Sequence, residues 1–478
     1  MSYNHGISVL ENPTSVPTPT LNTSEVPIIF GTAPVNMAAD PQKATNKLFL
    51  CNTFAEAQAA VGYSDDYENY TLCQAMDAFF KVFKIGPVVI CNVLDPAKHK
   101  TEYTETITVV GEQAVSTKKG VMLNNLKVTD GSSTALVKDT DYTVEFNEDG
   151  YVVVTVIKEA VSSVQLTGTA IDPSAVTDKD IIGSYDASTG KETGIELARR
   201  VFPMFGVRVN FLLAPGWSQM PSVGMALMGK EEKLSGLFKC RAVLDIDTKK
   251  ATKYTDVEKV KKDSGYSSND ICLWPMVSYG GKTMYYSAIY AAMTCLLDYN
   301  NGSIPNISPS NEDIKVSAAV LHDGTEINLD ITQANELNAV GVVTAISLNG
   351  TFKSWGNNTA AYPGTTDPKD RWICCRRFFD WYANSFLATY LDKVDNPANY
   401  RLIESIVDSE NVRGNSLVSQ GKCAGAKTVY NREDNPTGNV INGTIVFKQY
   451  IAPYTPAEYI LDVLEFDPTM LEAALGGE

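Results

Sequence analysis

The alternation of strand-like and helix-like segments is broken once, sharply, after Asp95-Pro96, and this break limits the architectures open to the chain. Before it, "NKLFLCN" reads as a strand, "FAEAQAAVG" as a short helix, "YTLCQAMDAFFKVFKIG" as a helix ending at Gly86 and "PVVICNVL" as a buried strand. From 101 to about 177 the runs "YTETITVV", "VMLNNLKVTD", "DYTVEFNEDGYVVVTVIK" and "SVQLTGTAI" are short and β-rich, with Asp149-Gly150 a hairpin signal and no helical period. The alternation then returns: "TGIELARRVF" (helix), "VRVNFLL" (strand), "PSVGMALMGKEEKLSGLF" (helix), "RAVLDI" and "DICLWPMV" (strands), "TMYYSAIYAAMTCLL" (helix). Residues 26–100 and 178–365 therefore read as one α/β core, its sheet covered on both faces, closing around an inserted all-β module at 101–177, a small sandwich and surface ornament.

Two further regions complete an α/β (α+β multidomain) chain. Residues 1–25 form an arm, because "NPTSVPTPTLNTSEVP" cannot be helical and buries little. Residues 366–450 form a C-terminal α/β domain opening with "RWICCRRFFDWYANSFLATYL". There Trp372, Cys375, Phe379, Tyr382 and Phe386 recur at helical steps on one packed face, while Arg376, Arg377 and Asp380 fall elsewhere. "IESIVDSE" and "NSLVSQGKCAGA" read as a second and a third helical stretch. Residues 451–478 are a second arm. In "FKQYIAPYTPAEYILDVLEF" Pro453 and Pro456 bar a central place in the chain's own sheet, yet 459–466 alternate as a strand does, which predicts pairing elsewhere.

The length of 478 residues allows about three folded units. The net charge of −16 works against nucleic-acid binding, which draws its affinity from Lys and Arg on phosphates. Nine cysteines, mostly in apolar runs and without a CxxC pair, read as buried thiols in a reducing compartment. The N-terminal stretch lacks a basic region followed by an apolar one, so no signal peptide is expected, and no segment is long enough to span a bilayer. These features describe a soluble chain made in the cytoplasm.

The motifs nearest to catalytic or binding chemistry are each incomplete. "YGGKT" at 279–283 has Met276 where a phosphate-binding loop needs glycine, and reads as a turn. "GWSQM" at 216–220 sits where a hydrolase nucleophile would, but Met220 occupies the place of the small fifth residue; a Ser218 and His322 hydrolase is the weakest reading. Three histidines, none at ligand spacing, and carboxylate loops without the calcium pattern predict no metal site, no catalytic residue and no cofactor.

Several stretches, taken in order, resemble the contractile tail sheath proteins of bacteriophages and phage-tail-like bacteriocins. They are "YNHGISVLE" followed by "EVPIIFGTAPV", then "DIIGSYDASTGKETGIELARRVFPMFGVRVNFLLAPGWS", "SIPNISPSN", "WGNNT" at 355–359, "GKCAGAKTVYNREDN" and "YTPAEYILDVLEF". The likeness spans the chain except about 101–177. Asn358 departs from it, since the family usually has Arg after "WGN", so any packing contact of that Arg must be made differently here. The resemblance implies self-assembly as stacked hexameric rings in a helical polymer around an inner tube, with baseplate and tail terminator proteins as further partners and no membrane anchoring. It also implies a virion tail or bacteriocin particle as location, contraction that drives the tube through a cell envelope, and arms that add strands to neighbouring copies. Ile7 and Val9 in the first arm and Ile460, Leu464 and Phe466 in the last are the expected strand anchors. Arg413, Lys422 and Lys427 are expected against the tube, with Arg376 and Arg377 as second choices. A non-contractile structural protein of a phage particle is the alternative.

Overall fold

A computed structural model describes residues 20–21 and 25–476 of the chain. Ile7 and Val9 lie outside the described residues. The centre is an eight-stranded sheet of β1 (Glu25–Gly31), β2 (Leu48–Cys51), β3 (Val88–Asn92), β4 (Arg208–Leu213), β5 (Arg241–Asp245), β6 (Ile271–Leu273), β7 (Val342–Leu348) and β8 (Thr351–Trp355). Its order is β8-β7-β6-β5-β4-β1-β3-β2. The inner strands run parallel, and the edge strands β2 and β8 run antiparallel to their neighbours. Strands β1, β3 and β5 are buried at every residue, as in a sheet covered on both faces. Helix α1 (Tyr286–Asn300) packs on β4 and β5, and α2 (Ile331–Asn338) packs on β7.

Strand β1 comes from before the break in the sequence pattern and β4 from after it, and they pair directly, Arg208 with Glu25 and Leu213 with Ile29. Between them, residues 100–171 form two antiparallel three-stranded sheets, ordered 113–119, 151–156, 142–146 and 100–108, 163–171, 127–130. Their own core contains Tyr103, Val128, Tyr142, Val154 and Leu166. Lys100 pairs with Ile171 at the base of this module. The chain thus leaves and returns at neighbouring points, which lets the module sit outside an uninterrupted main sheet. Among the described residues, no helix is long and apolar enough to cross a membrane.

Local departures from the sequence reading have local causes. The helix expected over 221–238 stops at Met228, before Gly229, a poor propagator. "DICLWPMV" is two strands, because Pro275 has no N–H for a ladder; Met276–Tyr279 begins a separate hairpin whose turn is Gly280-Gly281, both at positive φ. The helix through Phe83 ends at left-handed Lys84 rather than at Gly86. "GIELARR" is a 3-10 turn that becomes α-helical only at Val201.

Candidate functional site: the C-terminal domain and its tail

The C-terminal region is built on α3 (Pro368–Arg371), α4 (Ile373–Tyr390), α5 (Tyr400–Ser419) and a hairpin of β9 (Gly425–Val429) and β10 (Lys448–Ala452). The two stretches expected as separate helices at 403–410 and 415–426 are the single helix α5, followed by β9. Gly414 is tolerated inside it because a Cβ there would lie 2.9 Å from Ala426, so glycine is what lets the helix lie against β9. Strand β10 runs to Ala452, so the tail begins at Pro453 rather than at 451.

Helix α4 is buried on two sides, which its apolar stripe alone does not reveal. Trp372, Cys375 and Tyr382 are buried as expected, but Phe379 and Phe386 are only half-buried, and Phe378 is the fully buried ring, packed with Tyr382, Leu417 and Cys423. The opposite side carries Arg376, Arg377 and Asp380, which do not fall away from the packed face but are buried against the main sheet. Arg241, at the start of β5, grips Asp380 with two bonds of 2.6 and 3.0 Å and also reaches Glu231 and Glu232. Arg376 bonds Asp380 and Asp370, both at 2.8 Å. Arg377 pairs with Asp298 near the end of α1 and lies over the Phe211 ring. Asn384 donates to Glu25 at the start of β1 (3.0 Å) and exchanges bonds with the Lys239 backbone.

Burial pushes the Glu25 carboxyl up to about 7 despite Arg208 and the Asn384 bond, and pushes Glu231 up to about 8 against the pull of Arg241. Asp298 is likewise raised by burial, with Arg377 opposing. This joint between core and C-terminal domain is therefore made of buried ionisable groups partnered inside one chain, with Arg376 Nε alone among its guanidinium nitrogens left without a hydrogen bond among the described residues. The signal for part of it stood in the sequence as the i, i+4 spacing of Arg376 and Asp380.

The expected tube-facing residues have different surroundings. Arg413 lies over the Tyr382 ring at 4.0 Å and bonds Glu410 at 2.5 Å. Lys422 reaches the backbone and side-chain oxygens of Asn301. Lys427 is exposed on β9, opposite Tyr450 of β10. Ser218 is fully buried and its hydroxyl accepts from the Asp245 N–H at 3.1 Å, while His322 is exposed in a turn, so they form no nucleophile and base pair. Among the described residues, no cluster of His, Cys, Asp or Glu could hold a metal ion, and all nine cysteines are buried and unpaired.

Beyond β10 the chain runs along a groove of about 660 Å³ lined by Asn335, Trp355, Asn358, Tyr362, Arg371 and Trp372 and by the tail's own Pro456–Tyr459. Among the described residues, 453–467 pair with no strand, so the expected strand at 459–466 has no ladder partner there. Ile460, Leu464 and Phe466 are 83, 89 and 80% exposed. The loop "WGNNT" secures the entry to α4: Asn357 bonds Cys374 and Ile373, and Thr359 bonds the Arg371 and Asp370 carbonyls. At Asn358, where the resemblance would place Arg, the amide oxygen accepts from Arg371 Nε at 3.0 Å, so α3 supplies a guanidinium to this spot.

No family model matches the chain. Over 502 aligned residues, 100% of this chain and 99% of the relative, it is 25% identical to the tail sheath protein of Burkholderia phage BcepMu. Its fold is similar to a chain of the six-fold symmetrised anti-feeding prophage baseplate, with TM-score 0.59 and 14% identity over 98% of this chain and 100% of that one. It is also similar to the anti-feeding prophage helical sheath in its contracted state, with TM-score 0.58 and 13% identity over 98% and 100%. Along its whole length the chain is thus similar in sequence to a phage tail sheath protein, and it shares its fold with chains of contractile sheath assemblies.

Proposed function

We propose that the chain is a structural subunit of a contractile tail sheath and that its tail completes the sheet of a neighbouring copy. The observation that carries this reading is the tail. Tyr459, Ile460, Leu461, Val463, Leu464 and Phe466 are all exposed and, among the described residues, have no ladder partner, as the outer edges of the preceding two-stranded sheet have none. Single exposed apolar residues are ordinary, but six within eight residues need a second surface. As a strand, Ile460, Leu464 and Phe466 would share one face and Tyr459, Leu461 and Val463 the other.

Strand addition to a sheet edge takes its strength from main-chain bonds and its register from alternate side chains. Each such bond contributes roughly 0.5–1.5 kcal/mol. Ordering costs about 1–2 kcal/mol per residue, so the ladder alone does not hold the arm. Buried anchors, at about 1.5–3 kcal/mol each, supply the difference. The N-terminal arm, with Ile7 and Val9, acts in the same way.

In this reading the copies stack as hexameric rings into a helical polymer around an inner tube, bounded by baseplate and tail terminator proteins, in a phage tail or a bacteriocin particle assembled from chain made in the bacterial cytoplasm. The six-fold baseplate and contracted helical sheath that share the fold support it. Of the three basic candidates for the tube contact, Lys427 is the exposed one, and the contact is assigned to its face of β9. Electron microscopy of the purified chain tests the proposal. Long tubes or contracted cylinders are expected, and deletion of residues 1–20 should leave folded monomers that do not polymerise. Tubes from that truncation, or closed rings and shells from the full chain, would refute it.

A further inference from the structure

Among the described residues, the tail's last hydrogen bond to the body of its subunit is at Glu458, and Tyr459 still borders the groove. Pro453 and Pro456 are half-buried, Pro456 in the groove, and the Cys375 thiol donates to the Tyr454 carbonyl at 3.9 Å. Glu458 Oε2 accepts from Arg371 Nη2 at 2.7 Å. From Tyr459 to Phe466 every residue is exposed, and Asp467 then caps only its own short helix, Pro468–Ala474.

The arginine that makes this last contact is fixed before the tail arrives. Its guanidinium lies 3.9 Å from the Trp372 ring centroid and 4.5 Å from that of Tyr362. Its Nε is taken by Asn358, whose amide in turn donates to the Asn338 carbonyl at 3.0 Å. Stacking on rings and a directed fork are what arginine offers and lysine does not. The pair itself is open to water, with 23 and 48% of the two side chains exposed, so salt screens it and it opens readily. Two prolines with fixed φ make the attached segment a stiff lever, so holding Glu458 sets the direction of everything after it.

We propose that Arg371 is the positioning residue of the C-terminal tail: set by Trp372, Tyr362 and Asn358, it holds Glu458 as a releasable catch and so fixes where, and in which direction, the strand 459–466 leaves the subunit. The partner it aims at is a second copy of this chain. When neighbouring copies shift, the catch opens and the departure angle changes while the strand keeps its ladder. The inference rests on the reading of the tail as a strand for a neighbour.

The test uses the full chain as monomer, with nitroxide labels on Val463→Cys in the tail and Glu336→Cys on α2, both exposed positions, the native thiols being buried. Pulsed electron resonance is expected to give one narrow distance. Arg371→Gln, Glu458→Gln and molar salt should each lose it to a broad distribution, with Arg371→Lys intermediate and unfolding midpoints unchanged in all. A distribution as narrow in Arg371→Gln as in the native chain, or a native one already as broad, overturns the catch. Native-rate tube formation by Arg371→Gln with a demonstrably broadened tail would instead overturn the strand-exchange reading and leave the catch standing.

Discussion

The joint around α4 and the tail after β10 treat polarity in opposite ways. At the joint, Arg241, Arg376, Arg377, Asp298 and Asp380 are removed from water and paired within the chain. In the tail, Ile460, Leu464 and Phe466 are exposed and, among the described residues, pair with no strand. A buried charge left unpaired is strongly destabilising, so ion pairs made inside one chain mark a connection complete in the monomer. Exposed apolar residues with unused main-chain groups are what the proposed strand exchange would complete between copies. On the proposed reading, the molecule separates a fixed internal joint from an external strap.

The comparison breaks most visibly if the tail is removed. Deleting residues 453–478 is expected to abolish polymerisation seen by electron microscopy while moving the monomer's unfolding free energy by no more than about 0.5 kcal/mol, as for surface changes. A large fall in monomer stability would show that the tail belongs to its own subunit after all.

At the joint the expectation is reversed. Arg377→Leu leaves Asp298 buried without its cation and should lower monomer stability by about 3–5 kcal/mol in denaturant titrations. Arg377→Leu with Asp298→Leu should recover most of that loss, because two apolar side chains of similar volume need no solvation. Failure of the double variant to recover would mean the pair also fixes the orientation of α4 against β4 and β5.

Much of this division was legible in the sequence, and the missed parts share a cause. The alternating run 459–466 behind two prolines identified the tail, because period and proline chemistry are local. The parallel core was legible for the same reason, through fully apolar runs such as "PVVICNVL". The burial of Arg376, Arg377 and Asp380 was not, because their partners Arg241, Asp298 and Asp370 come from distant segments or another helix, and helical period alone places charged residues on the wet side. The continuity of α5 was hidden by Gly414, whose reason for being there is a strand that follows the helix.

A single anchor should behave as a fraction of the whole strap. Leu464→Ser removes one buried contact in the assembled state, so the critical concentration for polymerisation should rise by the equivalent of about 1.5–3 kcal/mol, with monomer stability unchanged. An equal effect from Asp462→Ser, also in the exposed stretch, would mean that exposure alone, and not the apolar face, matters there.

The smallest effect sharpens the joint by titration. Burial raises Asp245 to about 6, against its bonds from Ser287 and Ser218, as it raises Glu25 to about 7 and Glu231 to about 8. These carboxyls bind protons in the folded chain at pH values where the unfolded chain has released them. Their stabilising contribution is fully present below their ordinary values near 4 and is lost as pH rises through 6, 7 and 8. Glu232, which burial would raise but Lys239 and Arg241 pull down to about 2, has the opposite sign, as does Asp180, pulled down by Lys98 and Thr177. Their contribution is lost as pH falls toward 2. Monomer stability should therefore climb as pH is lowered from about 8 toward 5 and fall steeply below about 4. Glu231→Gln should flatten the upper limb, by at most about 1.4 kcal/mol per pH unit, because a neutral amide has no proton to bind there. An unchanged limb would place that carboxyl in contact with water, and the joint would then be open rather than closed.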